Sequence, residues 1–357
     1  MVSSTVKEKL RVSNIRVTVR NGGLASVLVL LALLTFICSW AGVFPPVLVE
    51  NWYAHGIFPI ISYSFGLLAD MVPFAWLDTA LLAGIPFAGW TVYRRKYRLL
   101  SGVVAGAYLV FFWSWGLNYH RPALSARLNV EVSDAVEAPV EAFRNTAAGE
   151  INRLYRELAN SEYDDQQVRS AAADRVGRVV EVIHGSGWGS GWPAARIVKT
   201  SRLANAWFQM AGVDGLFNPF SHEPIISNGL LEIERPFVIA HELAHVRGYP
   251  NEGDANFVAV LATLVSGDPR LQYSGWLNLW FYLRNRDADA LIDEGPRQDM
   301  LRIAERRRSQ QVRWVSSLQT AVLDWYLKAN NVDEGIRSYS QVVLLAVATE
   351  RQWERFR

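Results

Sequence analysis

From Asn21 to Val49 the chain runs 29 residues without a single charge, centred on GLASVLVLLALLTFICSWAGVF. A helix needs about 20 apolar residues to cross a bilayer core, so this stretch has the length and greasiness to span one. Basic residues precede it, as in a secretory signal, but the apolar core is longer than a typical signal and no A-x-A-like site follows. Cys38 follows Ile37 rather than the small residue a lipoprotein signal needs. The expectation is an uncleaved first span, at about 23–44.

Two more stretches follow, about 72–93, with Asp78 as its only charge, and about 99–119. Between them Arg94, Arg95, Lys96 and Arg98 form a basic knot, whereas residues 50–70 hold no Lys or Arg. By the positive-inside rule the basic N-terminus and the knot are cytoplasmic and the 50–70 loop lies outside. Three spans then put everything after residue 120 outside the cytoplasmic membrane of a bacterium. The segment 52–69 is apolar enough for a fourth span, but its Gly, Pro, His and Ser content favours an interfacial or re-entrant piece. Asp78 is expected in the outer half of its helix, snorkelling or capping a bundle contact rather than acting in chemistry.

Charge follows the same division. Residues 1–120 carry nine Lys/Arg against four acids, and the remainder 27 against 30, so the net +2 averages two unlike parts. Half the residues are hydrophobic, 14 are Trp and one is Cys, which excludes a disordered chain, a disulfide scaffold and a nucleic-acid-binding protein. The expected partners are the lipid bilayer and a peptide or protein substrate. Arg302, Arg306, Arg307 and Arg308 read as a solvated helix face.

Residues 121–357 are expected to form a mostly helical extracytoplasmic domain. Apolar positions recur at three- and four-residue spacing over 134–160 and 164–184. GSGWGSGWP (185–193) is a loop, and short β-like runs fall at 195–198 and 224–227. No internal repeat is present.

The stretch RPFVIAHELAHVRGYPNEGDANFVAVLA (235–262) carries the chemistry. Pro236 suits a first helical turn. His241 and His245, four apart, project from one helical face, with Glu242 beside them. This is H-E-x-x-H, two neutral imidazole ligands plus a carboxylate able to deprotonate a zinc-activated water. A pair of core histidines would explain the spacing but gives no reason for an ionisable Glu242 between them. Gly248 and Pro250 break the helix. A second apolar helix follows, with Glu252 and Asn256 on one side of its start. Glu252 would complete a three-ligand zinc site, and Asn256 would orient a ligand imidazole. Asp254 is the alternative ligand if that helix begins later. The candidate oxyanion donors are Tyr339 and Tyr273, with a packing or hydroxyl-capping role the favoured alternative for either, and Ile225, Ile226 and Ser227 are expected on an edge strand that an extended substrate joins. His222 is expected at the surface or behind the ligands. Asn118, Tyr119 and Arg121 would anchor the domain to the membrane surface.

His241-Glu242-x-x-His245 followed by Glu252-x-x-Ala255-Asn256 resembles the gluzincin metallopeptidases, in which a Glu on a following helix is the third ligand. Asn251 stands where metzincins place a His or Asp, which disfavours that family. The chain resembles more closely a bacterial membrane family known as domain of unknown function 3810. The resemblance runs through VENWYAHGIFP (49–59), Pro73–Asp78, WGLNYHRPAL (115–124), GLFNPFSHEP (215–224), EGDANF (252–257), YSGWLN (273–278) and SYSQVV (338–343). It covers about residues 45–350. It implies three transmembrane helices and a mainly α, zincin-like domain with a small β element, and it names no substrate. The function expected is a membrane-anchored zinc metallopeptidase. The alternatives are a sensor or scaffold with a structural zinc, or a zinc amidase acting on a cell-wall amide.

Overall fold

The computed structural model describes residues 23–130, 137–185, 197–284, 288–330 and 341–357. An apolar helix α1 (Gly23–Trp40) leads into a short α2 (Pro46–Leu48), a π-helical turn (Val49–Ile57) and α3 (Phe58–Asp70). Helices α4 (Trp76–Tyr93) and α5 (Tyr97–Ser114) form a hairpin across the basic knot, and a 3-10 turn (Gly116–His120) leaves it. The rest is α6 (Leu124–Leu128), α7 (Glu137–Leu158), α8 (Asp165–His184), α9 (Asn205–Ala211), strands β1 (Gly215–Asn218) and β2 (Glu223–Ile226), α10 (Arg235–Val246), α11 (Glu252–Leu264), α12 (Pro269–Leu283), α13 (Glu294–Gln310), α14 (Arg313–Ala329) and α15 (Gln341–Thr349). The mainly helical expectation with a small β element therefore holds.

The span count does not. Among the described residues only α1 and α5 are long and apolar enough to cross a membrane, two helices rather than three. The expected second span does form a helix, but Asp78, two Thr, Pro86 and polar-ended aromatics dilute its hydropathy. The 52–69 segment is no fourth span. It is helical, as the π-helical turn running directly into α3, but it is not among the helices long and apolar enough to cross a membrane. Instead it packs beneath the domain, where Ser62 Oγ donates to the Val246 carbonyl at 3.1 Å.

The domain core centres on α11, whose residues Ala255–Leu264 are all buried. Around it, α7, α8, α10, α12 and α15 contribute Ile151, Val176, Ile239, Trp280 and Leu345 to one apolar cluster. A helix apolar on every side is what a central position requires. A second cluster joins the apolar helices to this domain, with Val49, Phe58, Phe112 and Trp115 packed on Phe217 and Val246.

Polar joints fix the same junction. Asp78, in the first turn of α4, accepts from Ser201 Oγ and from the backbone N–H groups of Arg202 and Leu203. Its role is thus to cap a domain loop, which accounts for a carboxylate in an otherwise apolar helix. The buried Lys199–Glu223 pair (2.6 Å) works similarly: Lys199 Nζ donates to the carbonyls of Ala69 and Phe74, while Glu223 accepts from the Trp76 N–H at the start of α4.

Candidate metal centre

Helix α10 begins with Pro236 in its first turn and buries Phe237, Val238 and Ile239. It ends because Gly248 adopts φ +81°, a left-handed conformation that a β-carbon disfavours. A Cβ there would also lie 2.8 Å from the Phe58 ring. Asn251 then caps α11, its side chain accepting from the Gly253 N–H at 2.8 Å. Glu252 is consequently the first residue of α11 and faces back across the turn.

This turn brings three donor atoms together. His241 Nε2 and His245 Nε2 are 3.1 Å apart, and Glu252 Oε2 lies 3.2 Å from the first and 3.7 Å from the second. Tetrahedral zinc with bonds of about 2.0–2.1 Å requires ligand atoms about 3.4 Å apart, so the spacing fits that ion. The chemistry of the set fits as well. His245 Nδ1 donates to the Tyr249 carbonyl at 2.7 Å, which turns its Nε2 lone pair toward the cluster. Burial opposes charge on His245, yet the neighbouring Glu252 carboxylate pushes it up to about 9. Burial likewise opposes charge on Glu252, and the two imidazoles hold it well below the usual carboxylate range. Without a cation, a buried carboxylate must borrow its counter-charge from protons on its histidine neighbours.

Glu242 sits apart from the three ligands. It is buried and its Oε2 has no hydrogen-bond partner. Burial raises it to about 7, against the pull of His241 and His245 and helped by Glu252 and Asp214. Its side chain lies flat against β1. A Cβ on Gly215 would fall 2.8 Å from both Glu242 Cγ and Cδ, and closer still to Oε1.

The carbonyls at the C-terminal end of α10 have no partners within the helix. Three side chains from the membrane-proximal part serve them. Trp115 Nε1 donates to the His245 carbonyl at 3.3 Å, Ser62 to that of Val246, and Arg121 Nη1 to that of Gly248 at 2.7 Å. Arg121 is buried and paired bidentately with Glu50, at 2.7 and 2.9 Å. It therefore anchors the metal loop to the π-helical turn, rather than the domain to lipid as its sequence position suggests. Glu50, His55 and His184 form a second group with metal-ligand spacing. They do not suit a cation: Arg121 occupies both Glu50 oxygens and reaches His184 Nε2 at 3.0 Å, and Arg127 stands 3.7 Å from Glu50.

Several expected site residues lie elsewhere. Asp254 is not in the three-donor cluster: its carboxylate faces Arg127 at 3.6 Å, and burial raises it to about 6. Asn256 is buried on α11, but no hydrogen bond joins it to either imidazole: the Tyr249 carbonyl serves His245, while His241 Nδ1 and Asn256 Nδ2 are both buried without a partner. Tyr273 donates to Asp299 at 2.8 Å within the core, so its hydroxyl is not aimed at the cluster. Tyr339 lies outside the described residues. Ile225, Ile226 and Ser227 are not on an edge. β2 pairs with β1 on one side and bridges Lys199 on the other, and the Ser227 N–H donates to the Asp214 carbonyl, which leaves β1 as the outer strand. His222 is fully buried among Phe58, Phe65 and Phe217, so burial pushes it down to about 4. Arg306 and Arg307 pair with Asp214, and Arg306 also with Glu234, which accounts for that basic cluster.

Two tyrosines emerge that no spacing announced. Burial and the Glu252 charge together raise Tyr326 on α14 and Tyr282 on α12. The Tyr326 hydroxyl meets that of Tyr119 at 3.2 Å. The sequence signal for Tyr326 is absent, since it lies 74 residues beyond Glu252 on a helix of ordinary pattern.

A family model described as a protein of unknown function (DUF3810) matches residues 53–347, most of the chain. No curated protein and no solved structure matches.

Proposed function

The chain belongs to the DUF3810 family, and we propose that it is a membrane-anchored zinc hydrolase, a metallopeptidase in the first instance. The observation that carries this reading is the convergence of His241 Nε2, His245 Nε2 and Glu252 Oε2 at tetrahedral spacing, with Glu242 buried beside them. Bound there, zinc would supply Lewis-acid polarisation of a carbonyl and acidify a water. Glu242, at about 7, is poised to accept a proton from the attacking water at neutral pH and return it to the leaving amine. The Tyr326 hydroxyl, close enough to feel the Glu252 charge, is the donor available to a developing oxyanion, in place of Tyr273. The outer edge of β1, backed by Glu242 at Gly215, is where an extended substrate backbone would lie.

For the membrane part, α1 and α5 both end at the domain, through Ser39–His120 (2.9 Å) and the Trp115–Phe217 contact, while their other ends carry the basic N-terminus and the basic knot. The positive-inside rule then puts the domain outside the cytoplasm.

The test is metal analysis of detergent-purified protein, wild type against Glu252→Ala and Glu242→Gln. The expected result is about one zinc per chain in wild type and in Glu242→Gln, and loss in Glu252→Ala. With peptide substrates, Glu242→Gln should lose turnover while keeping metal. No zinc in wild type overturns the reading; undiminished turnover in Glu242→Gln removes the role of the carboxylate.

A further inference from the structure

We propose that α14 is an interfacial helix that lies in the surface of the bilayer spanned by α1 and α5. The inference rests on reading those two helices as membrane spans. Trp314, Leu318, Val322 and Trp325 are exposed at 70%, 57%, 51% and 70%, together with Ala321 and Ala329. Their spacing of three and four residues puts them on one face, interrupted by Ser317 and, in the last turn, by Lys328, which pairs with Asp324 at 2.6 Å. The opposite face carries Val315 and Leu327 into the protein, and the flanks carry Gln319, Thr320 and Asp324. Monomeric soluble proteins rarely leave so continuous an apolar stripe in water. Arg313 and Lys328 stand at the two ends, where long cationic side chains reach lipid headgroups, and the indoles of Trp314 and Trp325 suit the same polar–apolar boundary.

Continuity with the spans selects the bilayer over another occupant. The Tyr326 ring of α14 packs against Phe111, in the last turn of α5, at 6.3 Å, and Phe220, itself 49% exposed, touches Phe111 too. Beside α14, Leu203, Trp207 and Met210 expose a second apolar patch on and before α9. The loop leading into it is the one held by Asp78 at the start of α4. Both exposed apolar surfaces are thus fastened to the ends of α4 and α5 where these helices meet the domain. An amphipathic helix lying there buries its stripe in the headgroup–acyl boundary. The inner side of the same helix carries Tyr326, whose hydroxyl meets that of Tyr119 at 3.2 Å, so the helix is held on the segment that leaves α5.

The full chain in lipid nanodiscs, on a Cys38→Ser background, tests this with nitroxide labels on single cysteines at Leu318, Val322, Thr320 and, as a control inside α5, Val104. Collision with dissolved oxygen is compared with collision with water-soluble chromium oxalate. The expected oxygen-to-chromium ratio at positions 318 and 322 is severalfold above that at 320 and approaches that at 104. Chromium-accessible labels at 318 and 322 with an oxygen-favouring label at 104 overturn the proposal and leave the spans standing. A chromium-accessible label at 104 overturns the reading of α5 as a span and the proposal with it. Labels at 318 and 322 shielded from both reagents and dipolar-broadened by a second label overturn it in favour of a second copy of the chain.

Discussion

Replacing Glu242 with Gln in metal-free protein should stabilise the fold, and by an amount that grows with pH. The carboxyl is fully buried and titrates near 7, against 4.5 for an exposed Glu. A folded-state value above the unfolded one means the native state prefers the neutral acid. No penalty exists below about pH 4.5; stability is lost as pH climbs from 4.5 to 7, and above 7 the loss is constant. At 1.36 kcal/mol per pH unit, the penalty is about 1 kcal/mol at pH 5 and about 3 kcal/mol at pH 8. Gln reproduces the shape of the protonated acid and cannot ionise, so it removes that penalty. For a domain of this size 1 kcal/mol corresponds to roughly 2–4 °C in Tm, which predicts a gain of roughly 6–12 °C at pH 8 and only a few degrees at pH 5. The assay is thermal unfolding of chelator-treated protein at both pH values, with Glu242→Ala, which also cannot ionise, compared against Glu242→Gln to register the loss of side-chain volume. Equal gains at the two pH values, or a loss at pH 8, would refute the claim that an ionisable carboxylate is confined there by burial.

Two further outcomes follow from close contacts. Gly215→Ala places a methyl against the Glu242 carboxylate without touching a metal ligand; it should keep its zinc yet lose about 10²-fold in peptide turnover, as expected for a catalytic group displaced by about 1 Å, whereas full activity with metal retained would show that Glu242 need not lie on β1. Glu50→Gln deprives the buried Arg121 of its bidentate partner and should destabilise the protein by about 3–5 kcal/mol in thermal or denaturant unfolding, with no change marking the pair as dispensable to the metal loop.

What the sequence disclosed is what local geometry encodes. His241 and His245 share a face because of the helical period, and Gly248 and Asn251 announce the turn that brings Glu252 back, so the three donor atoms were legible from one short segment. Residues that depend on tertiary pairing were not. Gly215 looks like an ordinary turn glycine until β1 is seen lying on Glu242, and Tyr326 gains its position from α14 packing beside Phe111 and Tyr119, more than 200 residues earlier in the chain. The strand at 224–227 was readable as β, but which of its edges was free was not, because Lys199 contributes a single bridge that leaves no periodic trace. Asn256 met the spacing rule for orienting an imidazole, but at His245 a backbone carbonyl takes the task, a partner that composition cannot reveal.

The segments between α1 and α6 bear on the candidate metal centre as much as the H-E-x-x-H helix does. A helix that carries two ligands in its second half must end abruptly if a third ligand is to fold back from the next helix, and an abrupt end strands its last carbonyls. In a soluble setting water would take them. Here they are buried, and an unpartnered buried carbonyl costs about 1–3 kcal/mol. The Gly248 N–H takes the His245 carbonyl at 2.9 Å, and Ser62, Trp115 and Arg121, from α3, the end of α5 and the segment just beyond it, add donors to the carbonyls of Val246, His245 and Gly248. Arg121 can be buried there only because Glu50, on the π-helical turn, neutralises it. The turn between α10 and α11 is therefore fixed by α3, the end of α5 and the π-helical turn, through the carbonyls of His245, Val246 and Gly248 that lie beside the three donor residues.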